Sequence, residues 1–243
     1  MLKLVQIEFL KLRRRKFVWL MMLSALMMPF LAFLLFKYVR KTGDFLQFYK
    51  WSALSYSPYI ILPIILGILC AMLIYNENQN DMLKQLWIVP ISKMGYFFSK
   101  FFVVLIYSIC FMLITVVASV IFSVLSGIVT FEWGNVLYLV KKCLEIGVIT
   151  PFTMLPILAI ATSQKGYIFP VSITLVYAFL FFTLTPVNMY LHPLSSMSVI
   201  IAQNGDIPGL TFTQTINIPL AFLCIFVWDV IAIFLANITL RRK

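Results

Sequence analysis

The chain has 243 residues and a formal net charge of +11, and 63% of its residues are hydrophobic while 11% are charged. Soluble domains average about 45–50% apolar and about 25% charged residues, so this composition excludes an ordinary soluble domain and indicates an integral membrane protein. Basic residues cluster at the ends of apolar runs. We therefore interpret the positive charge as a determinant of membrane topology and not of nucleic-acid binding.

The N-terminal segment, 1–16, is predicted to form a weakly amphipathic helix. Apolar side chains recur at helical spacing along one face, whereas Glu8 and most of the basic residues fall on the other. Two interpretations stay open and are compatible: a helix that lies among anionic lipid headgroups, and a plain positive-inside topogenic signal. The basic residues expected at the membrane surface are Arg13, Arg14, Arg15 and Lys16.

Six apolar runs have about the length that a helix needs to cross a bilayer. We predict an all-α integral membrane protein with a single transmembrane domain, 1–243. With the N-terminus inside, 13 of the 19 lysines and arginines lie on the inner side, which predicts two cytoplasmic termini. The predicted spans are 17–36, 56–75, 101–125, 146–163, 166–185 and 217–240.

The connector between the second and third spans, 76–100, carries both signs of charge and a helix-compatible centre. Leu83, Leu86 and Trp87 form an apolar stripe at helical spacing, and Pro90 ends the helical stretch. We therefore predict a short amphipathic helix, 81–89, just outside the bilayer. Such a helix either rests on lipid headgroups or docks into another protein.

Patterns typical of catalysis or metal binding are absent from the sequence. It contains no G-x-x-x-x-G-K-[ST] phosphate-binding loop and no H-E-x-x-H motif. The single histidine, His192, falls in an outer loop, where we expect a surface or interfacial residue. The four cysteines lack metal-binding or redox spacing and are expected to act as small apolar residues. We therefore expect no catalysis, metal or cofactor in this chain.

Asp229 lies near the middle of the last predicted span. A central acidic residue costs at least about 2.5 kcal/mol on insertion scales, so its side chain should face protein or water. One interpretation, which we favour, is a packing residue that is protonated or hydrogen-bonded to a neighbouring Ser, Thr or Asn. The other is an intramembrane polar site for a cationic substrate or a coupling proton.

Two stretches resemble small ABC-2-type permeases. IEFLKLRRRKFVWL (7–20), followed by ALMMPFL (25–31), is similar to their basic elbow helix and to a first span with a proline midway. The stretch 76–101 resembles their first cytoplasmic loop, with an acidic residue after the second span, a Lys-x-Leu step, Pro-Ile-Ser and a lysine that opens the third span. The closest resemblance is to permeases of lantibiotic-immunity and bacitracin-resistance exporters. The matching loop positions are Glu77, Lys84, Leu86, Pro90, Ser92 and Lys100.

The resemblance implies a non-catalytic permease subunit of an ATP-driven exporter in the cell membrane. It would pair with a second permease, identical or homologous, and bind ABC ATP-binding subunits that hold ATP and magnesium. The 81–89 helix would be a coupling helix that docks on the ATPase. The implied substrate is an amphipathic peptide antibiotic, removed from the membrane for immunity or resistance. The expected ATPase contacts are Glu77, Leu83, Lys84, Leu86, Trp87 and Pro90.

Two other functions are compatible with the residues alone. An ion-coupled secondary transporter would use Asp229 as its charged intramembrane group. A membrane scaffold or sensor subunit would have no transport activity of its own. A partner ATPase would distinguish the permease from both.

Overall fold

A computed structural model of the chain describes residues 2–38, 45–79, 92–127, 132–164, 166–202 and 215–242, and within these ranges all regular structure is helical. This confirms the predicted all-α class. Six helical segments are long and apolar enough to cross a membrane, as predicted. They are Lys16–Tyr38, Leu46–Gln79, Lys93–Ser126, Trp133–Ser163, Ile168–Val187 and Ile218–Arg241, and we call them the first to sixth spans.

Several spans consist of more than one helix. A 3₁₀ turn interrupts the first span, π-helical turns interrupt the second, and the helix of the fourth is broken at Met154, three residues after Pro151. We number the α-helices in chain order. They are α1 (Leu2–Arg13), α2 (Lys16–Leu23), α3 (Met27–Tyr38), α4 (Phe45–Tyr49), α5 (Leu62–Gln79), α6 (Lys93–Ser126), α7 (Trp133–Thr153), α8 (Leu155–Ser163), α9 (Ile168–Val187), α10 (Pro193–Ile201) and α11 (Ile218–Arg242).

The fourth span begins at Trp133, well before the predicted start at 146. The added turns contain charged residues, which hydropathy treats as unsuited to a membrane helix. Lys142 is nevertheless buried: its Nζ donates to the carbonyl of Ile201 at 3.2 Å and lies 3.4 Å from the Glu145 carboxylate. Because the charge is satisfied inside the protein, the helix continues through it.

The second span lies at the centre of the bundle. Of its most apolar 18 residues, 78% are buried, against 28% in the fifth span and 22% in the sixth. α9 packs closely on α5, where a Cβ added to Gly67 would overlap the Thr174 side chain. The outer spans therefore leave broad apolar surfaces exposed, as expected for helices that face lipid tails or another subunit.

Several chain segments meet at one end of the bundle, which we call the connector end because α5 and α6 border the 80–91 segment there. Asn78 Nδ2 donates to the carbonyl of Gln164, between the fourth and fifth spans, at 3.0 Å. Lys93 Nζ donates to the carbonyl of Leu240, in the last turns of α11, at 2.6 Å. α1 packs on the same part of α6. The N-terminal helix and the C-terminal end of the last span are thus on one side, in agreement with an even number of spans.

At the opposite end, α10 folds back into the bundle, and every residue of this short helix is buried. Its N-cap residue, His192, is only 4% exposed and lies against the ring of Tyr177, with 4.3 Å between ring centroids. The prediction of a surface histidine is therefore wrong. We expected exposure because His192 falls in a predicted outer loop. Instead, the apolar residues of α10 pack in the core and bury the N-cap residue with them.

Candidate functional site

Glu77 occupies the centre of a buried polar cluster at the connector end. Its side chain, in the last turn of α5, is 5% exposed. Oε1 accepts hydrogen bonds from Lys100 Nζ at 2.5 Å and from Lys11 Nζ at 2.9 Å, and Oε2 accepts one from the Tyr96 hydroxyl at 2.5 Å. These three donors come from two other helices, α1 and α6. One carboxylate therefore joins three parts of the chain.

A second buried carboxylate, Glu8 of α1, contacts the same two lysines. Its Oε2 lies 2.6 Å from Lys100 Nζ and its Oε1 lies 2.8 Å from Lys11 Nζ. Each carboxylate thus pairs with each ammonium group in a closed ring of two negative and two positive charges. We call Glu8, Lys11, Glu77, Tyr96 and Lys100 the ion cluster.

Helical spacing explains how short stretches of sequence supply this cluster. Residues three or four apart lie on one face of a helix, which brings together Glu8 and Lys11 on α1 and, likewise, Tyr96 and Lys100 on α6. The ammonium of Lys100 also lies 5.1 Å from the centroid of the Tyr96 ring. Glu77 faces both pairs from α5. The cluster therefore depends on the packing of three helices and not on a local motif.

The cluster is a strong structural constraint because its charges are removed from water. Lys100 is fully buried, and an ion pair that loses one partner leaves an uncompensated charge inside the protein. Lys11 is the outermost member, with 38% of its side chain exposed. Partial burial alone lowers the pKa of Lys11, but hydrogen bonds and charge from Glu8 and Glu77 outweigh it and raise that pKa above its usual value. The two carboxylates therefore favour the protonated form of Lys11 near neutral pH.

The cluster lies directly beside the two helix ends that border the 80–91 segment. α5 ends at Gln79, two residues beyond Glu77 at the centre of the cluster. α6 begins at Lys93, where the Ser92 hydroxyl caps the helix by accepting from the backbone N–H of Gly95 at 3.0 Å. At 1.5 Å per residue the 34 residues of α6 extend about 51 Å, longer than a hydrocarbon core of about 30 Å. The first turns of α6 can therefore lie outside the membrane while the same helix crosses it.

A cavity of about 430 Å³ borders the cluster on the α1 side. Its polar wall includes Arg14, Arg15 and Asn76 as well as Glu8 and Glu77. The cavity gives these side chains room to change partners without displacing the apolar core. The basic residues predicted for the membrane surface, Arg13, Arg14, Arg15 and Lys16, are all exposed, and their position relative to a membrane stays a prediction.

The predicted ATPase-contact residues fall into two groups. Leu83, Lys84, Leu86, Trp87 and Pro90 lie outside the described residues, so the 81–89 helix stays a prediction. Glu77 is described, and its carboxylate is enclosed by its own chain instead of facing a partner. A surface contact through Glu77 would require the ion cluster to open first.

Glu8, Lys11 and Tyr96 were not predicted as site residues. Glu8 was placed on the polar face of α1, and amphipathic spacing cannot show that another helix covers that face. The sequence did contain one indication of the cluster. The N-terminal helix and the segments on both sides of 80–91 carry opposite charges next to apolar residues. The pairing of α1 with the other two helices needs contacts between residues 66 or more positions apart, which sequence spacing does not supply.

Asp229 lies far from this cluster along the chain, on α11, and differs from Glu77 in its surroundings. Its Oδ1 is buried and has no hydrogen-bond donor among the described residues. The hydrogen-bonded partner that a packing role would supply is therefore not seen within the described part of the chain. Burial lowers the pKa of His192 to about 4, so this imidazole is neutral near pH 7 and brings no counter-charge to that end of the bundle.

Comparison with known proteins gives one family. The family model described as "ABC-2 family transporter protein" matches residues 4–181, which include every member of the ion cluster but neither His192 nor Asp229. A search of curated proteins finds no match. The match covers well over half of the chain and confirms the resemblance seen in its first span and first inner loop.

Proposed function

We propose, from the premise that this chain belongs to the ABC-2 family of transporter proteins, that it removes an amphipathic peptide antibiotic or a similar substrate from the cell membrane. Membership itself makes the chain the membrane-spanning permease subunit of an ABC transporter. The permease is non-catalytic, and ATP hydrolysis belongs to a separate ABC ATP-binding subunit. Membership also favours the ATP-driven permease over an ion-coupled carrier.

The observation that carries the mechanism is the position of the ion cluster, which lies beside the two helix ends that border the 80–91 segment. ATP can drive transport only if the ATPase favours one arrangement of the permease over another. A partner that pushes on the 80–91 segment would move the end of α5 relative to the start of α6. The cluster joins these two helices by charged hydrogen bonds. A movement of the 80–91 segment would therefore either displace the second and third spans together or make the charged side chains of the cluster exchange partners.

This mechanism changes the role we assign to Glu77. It acts as a positioning residue that ties the connector to the spans, because its carboxylate is buried among Lys11, Tyr96 and Lys100. The contacts with the ATPase would then come from the 80–91 segment and not from Glu77. The proposed contact residues are Leu83, Lys84, Leu86, Trp87 and Pro90.

We also propose which surfaces of the permease face lipid, a second permease and the cytoplasm. The sixth span buries only 22% of its most apolar stretch, so its surface is available to lipid or to a second permease, identical or homologous. The common side of α1, the connector and the end of α11 would be cytoplasmic, because that side carries most of the basic residues. ATP and magnesium would bind to the ATPase subunits there. The exposed arginines after α1 would lie among anionic headgroups.

Docking of the connector is tested by Trp87→Ala. Buried aromatic anchors often contribute about 2 kcal/mol or more to small interfaces, so the variant should co-purify with its ATPase subunit much less well than the parent protein. The assay is a pull-down of that subunit, followed by measurement of ATP hydrolysis with amphipathic peptides added. Trp19→Ala, which removes an exposed tryptophan of α2, is the matched control and should leave co-purification unchanged.

Two outcomes would contradict the proposal in different ways. If Trp87→Ala alters membrane insertion but leaves ATPase association untouched, the connector rests on lipid and does not dock. If the parent complex forms but no amphipathic peptide changes its rate of ATP hydrolysis, the peptide substrate is wrong while the permease assignment stands.

A further inference from the structure

A second cavity lies between α7 and α11, within the membrane-spanning part of the bundle. Its volume is about 320 Å³, at the low end of the range for ligand pockets. Six of its seven lining side chains are apolar, and the seventh is a carboxylate. The lining residues are Val148, Ile149, Phe152, Phe222, Ile225, Phe226 and Asp229.

The carboxylate in this cavity has no counter-charge. No ion pair involving Asp229 occurs among the described residues, and its buried Oδ1 accepts no hydrogen bond from them. Two neighbouring donors are already engaged: the Tyr177 hydroxyl donates to the carbonyl of Thr153 at 2.6 Å, and Trp228 Nε1 donates to the carbonyl of Leu191 at 3.1 Å. The protein thus provides an acceptor in an apolar space and directs its nearby donors elsewhere.

The chemistry of the wall indicates which ligand fits. Buried polar groups are almost always hydrogen-bonded, and an acidic side chain within a membrane normally faces a partner or a pathway. A cation that enters the cavity would supply the missing counter-charge. Three of the six apolar side chains are phenylalanines, whose ring faces attract cations, and all six would contact an alkyl chain.

We propose that the cavity between α7 and α11 binds the ammonium group of a cationic amphiphile, with Asp229 as the counter-ion and the phenylalanines around the adjoining methylene groups. The inference rests on the proposed function and names the charge class of its substrate. A cavity of this size holds a headgroup and a short apolar segment, so it would take one side chain or terminus of a peptide and not the whole molecule. A lysine side chain or an N-terminal amine has the required chemistry.

The test is equilibrium binding of radiolabelled dodecylammonium to the full chain in phosphatidylcholine nanodiscs, which requires neither an ATPase nor transport. Asp229→Asn keeps the side-chain volume and removes the charge. We expect it to weaken dodecylammonium binding at least about tenfold, which corresponds to about 1.4 kcal/mol, while binding of dodecanol stays unchanged. Glu132→Gln, which changes an exposed carboxylate outside the cavity, is the matched control and should bind both probes like the parent.

A second variant keeps the test decisive if Asp229→Asn does not accumulate. Val148 lines the cavity with 41% of its surface exposed, so Val148→Trp can fill the space without entering the core, and it should reduce binding of both probes. Equal binding of dodecylammonium to the parent and to both variants would overturn the proposed site. Stimulation of the partner ATPase by peptides is measured separately, so its presence alongside a failed binding test would leave the proposed function intact.

Discussion

Two carboxylates inside this bundle have opposite surroundings. Glu77 accepts hydrogen bonds from Lys11, Tyr96 and Lys100, whereas the buried Oδ1 of Asp229 accepts none from the described residues. A carboxylate saturated by donors on several helices holds those helices in one arrangement. A carboxylate with an unused acceptor is instead suited to bind something that the chain does not provide. The comparison therefore supports the two different roles that we propose, positioning of the helices for Glu77 and recognition of a ligand for Asp229.

The largest effect expected from this difference is on stability. Lys100→Met removes the fully buried ammonium and leaves Glu8 and Glu77 with only Lys11 between them. Breaking a buried ion pair by removing one partner costs about 3–5 kcal/mol, so the midpoint of thermal unfolding in detergent should fall clearly. Asp229→Asn removes no hydrogen bond at Oδ1 and should leave that midpoint almost unchanged.

A rescue variant distinguishes charge from packing as the cause. Adding Glu77→Gln to Lys100→Met removes one of the two carboxylates that would otherwise share Lys11, and should recover part of the lost stability. If the double variant is less stable than Lys100→Met by the full effect of Glu77→Gln alone, the two residues act independently and the cluster is not a unit.

A smaller effect is expected from Lys11→Met. Lys11 contacts the same two carboxylates as Lys100, but 38% of its side chain is exposed, so water screens the charges that it leaves behind. The loss of thermal stability should therefore be well below that of Lys100→Met. Because the pKa of Lys11 is raised in the folded protein, its contribution is complete near neutral pH and is lost only as the pH rises through that pKa. If Lys11→Met lowers thermal stability as much as Lys100→Met, burial does not determine how much each lysine contributes to stability.

The same two regions show how far sequence reasoning reaches. Long apolar runs predicted six spans and the all-α class, because a bilayer imposes a minimum length on every helix that crosses it. The helix that contains the fourth predicted span begins earlier than hydropathy suggests, since hydropathy assumes that a charge such as Lys142 faces water, whereas the folded chain supplies a partner. Glu77 was recognised from its place after the second span. Its enclosure by Glu8, Lys11, Tyr96 and Lys100 depends on tertiary contacts between α1, α5 and α6 and could not be read from spacing.

His192 and Asp229 illustrate the same limit at the other end. The composition of the loop around His192 is polar enough to predict exposure, yet α10 packs inward and buries the ring against Tyr177. Asp229 was noticed from its position alone. Its apolar cavity is formed by α7 and α11, two helices that are separated by more than sixty residues in the chain, and only the fold brings them together.

The central claim is that the ion cluster links the 80–91 segment to the second and third spans. The coupling of ATP hydrolysis to transport in the assembled transporter tests this claim most directly. The measurement is the amount of peptide removed from the membrane per ATP hydrolysed by the reconstituted permease–ATPase complex, for the parent and for Glu77→Gln, with Glu132→Gln, a change at an exposed carboxylate, as the control. We predict that Glu77→Gln still binds the ATPase subunit but lowers this ratio severalfold, while Glu132→Gln matches the parent. An unchanged ratio in a correctly inserted Glu77→Gln complex would contradict the account.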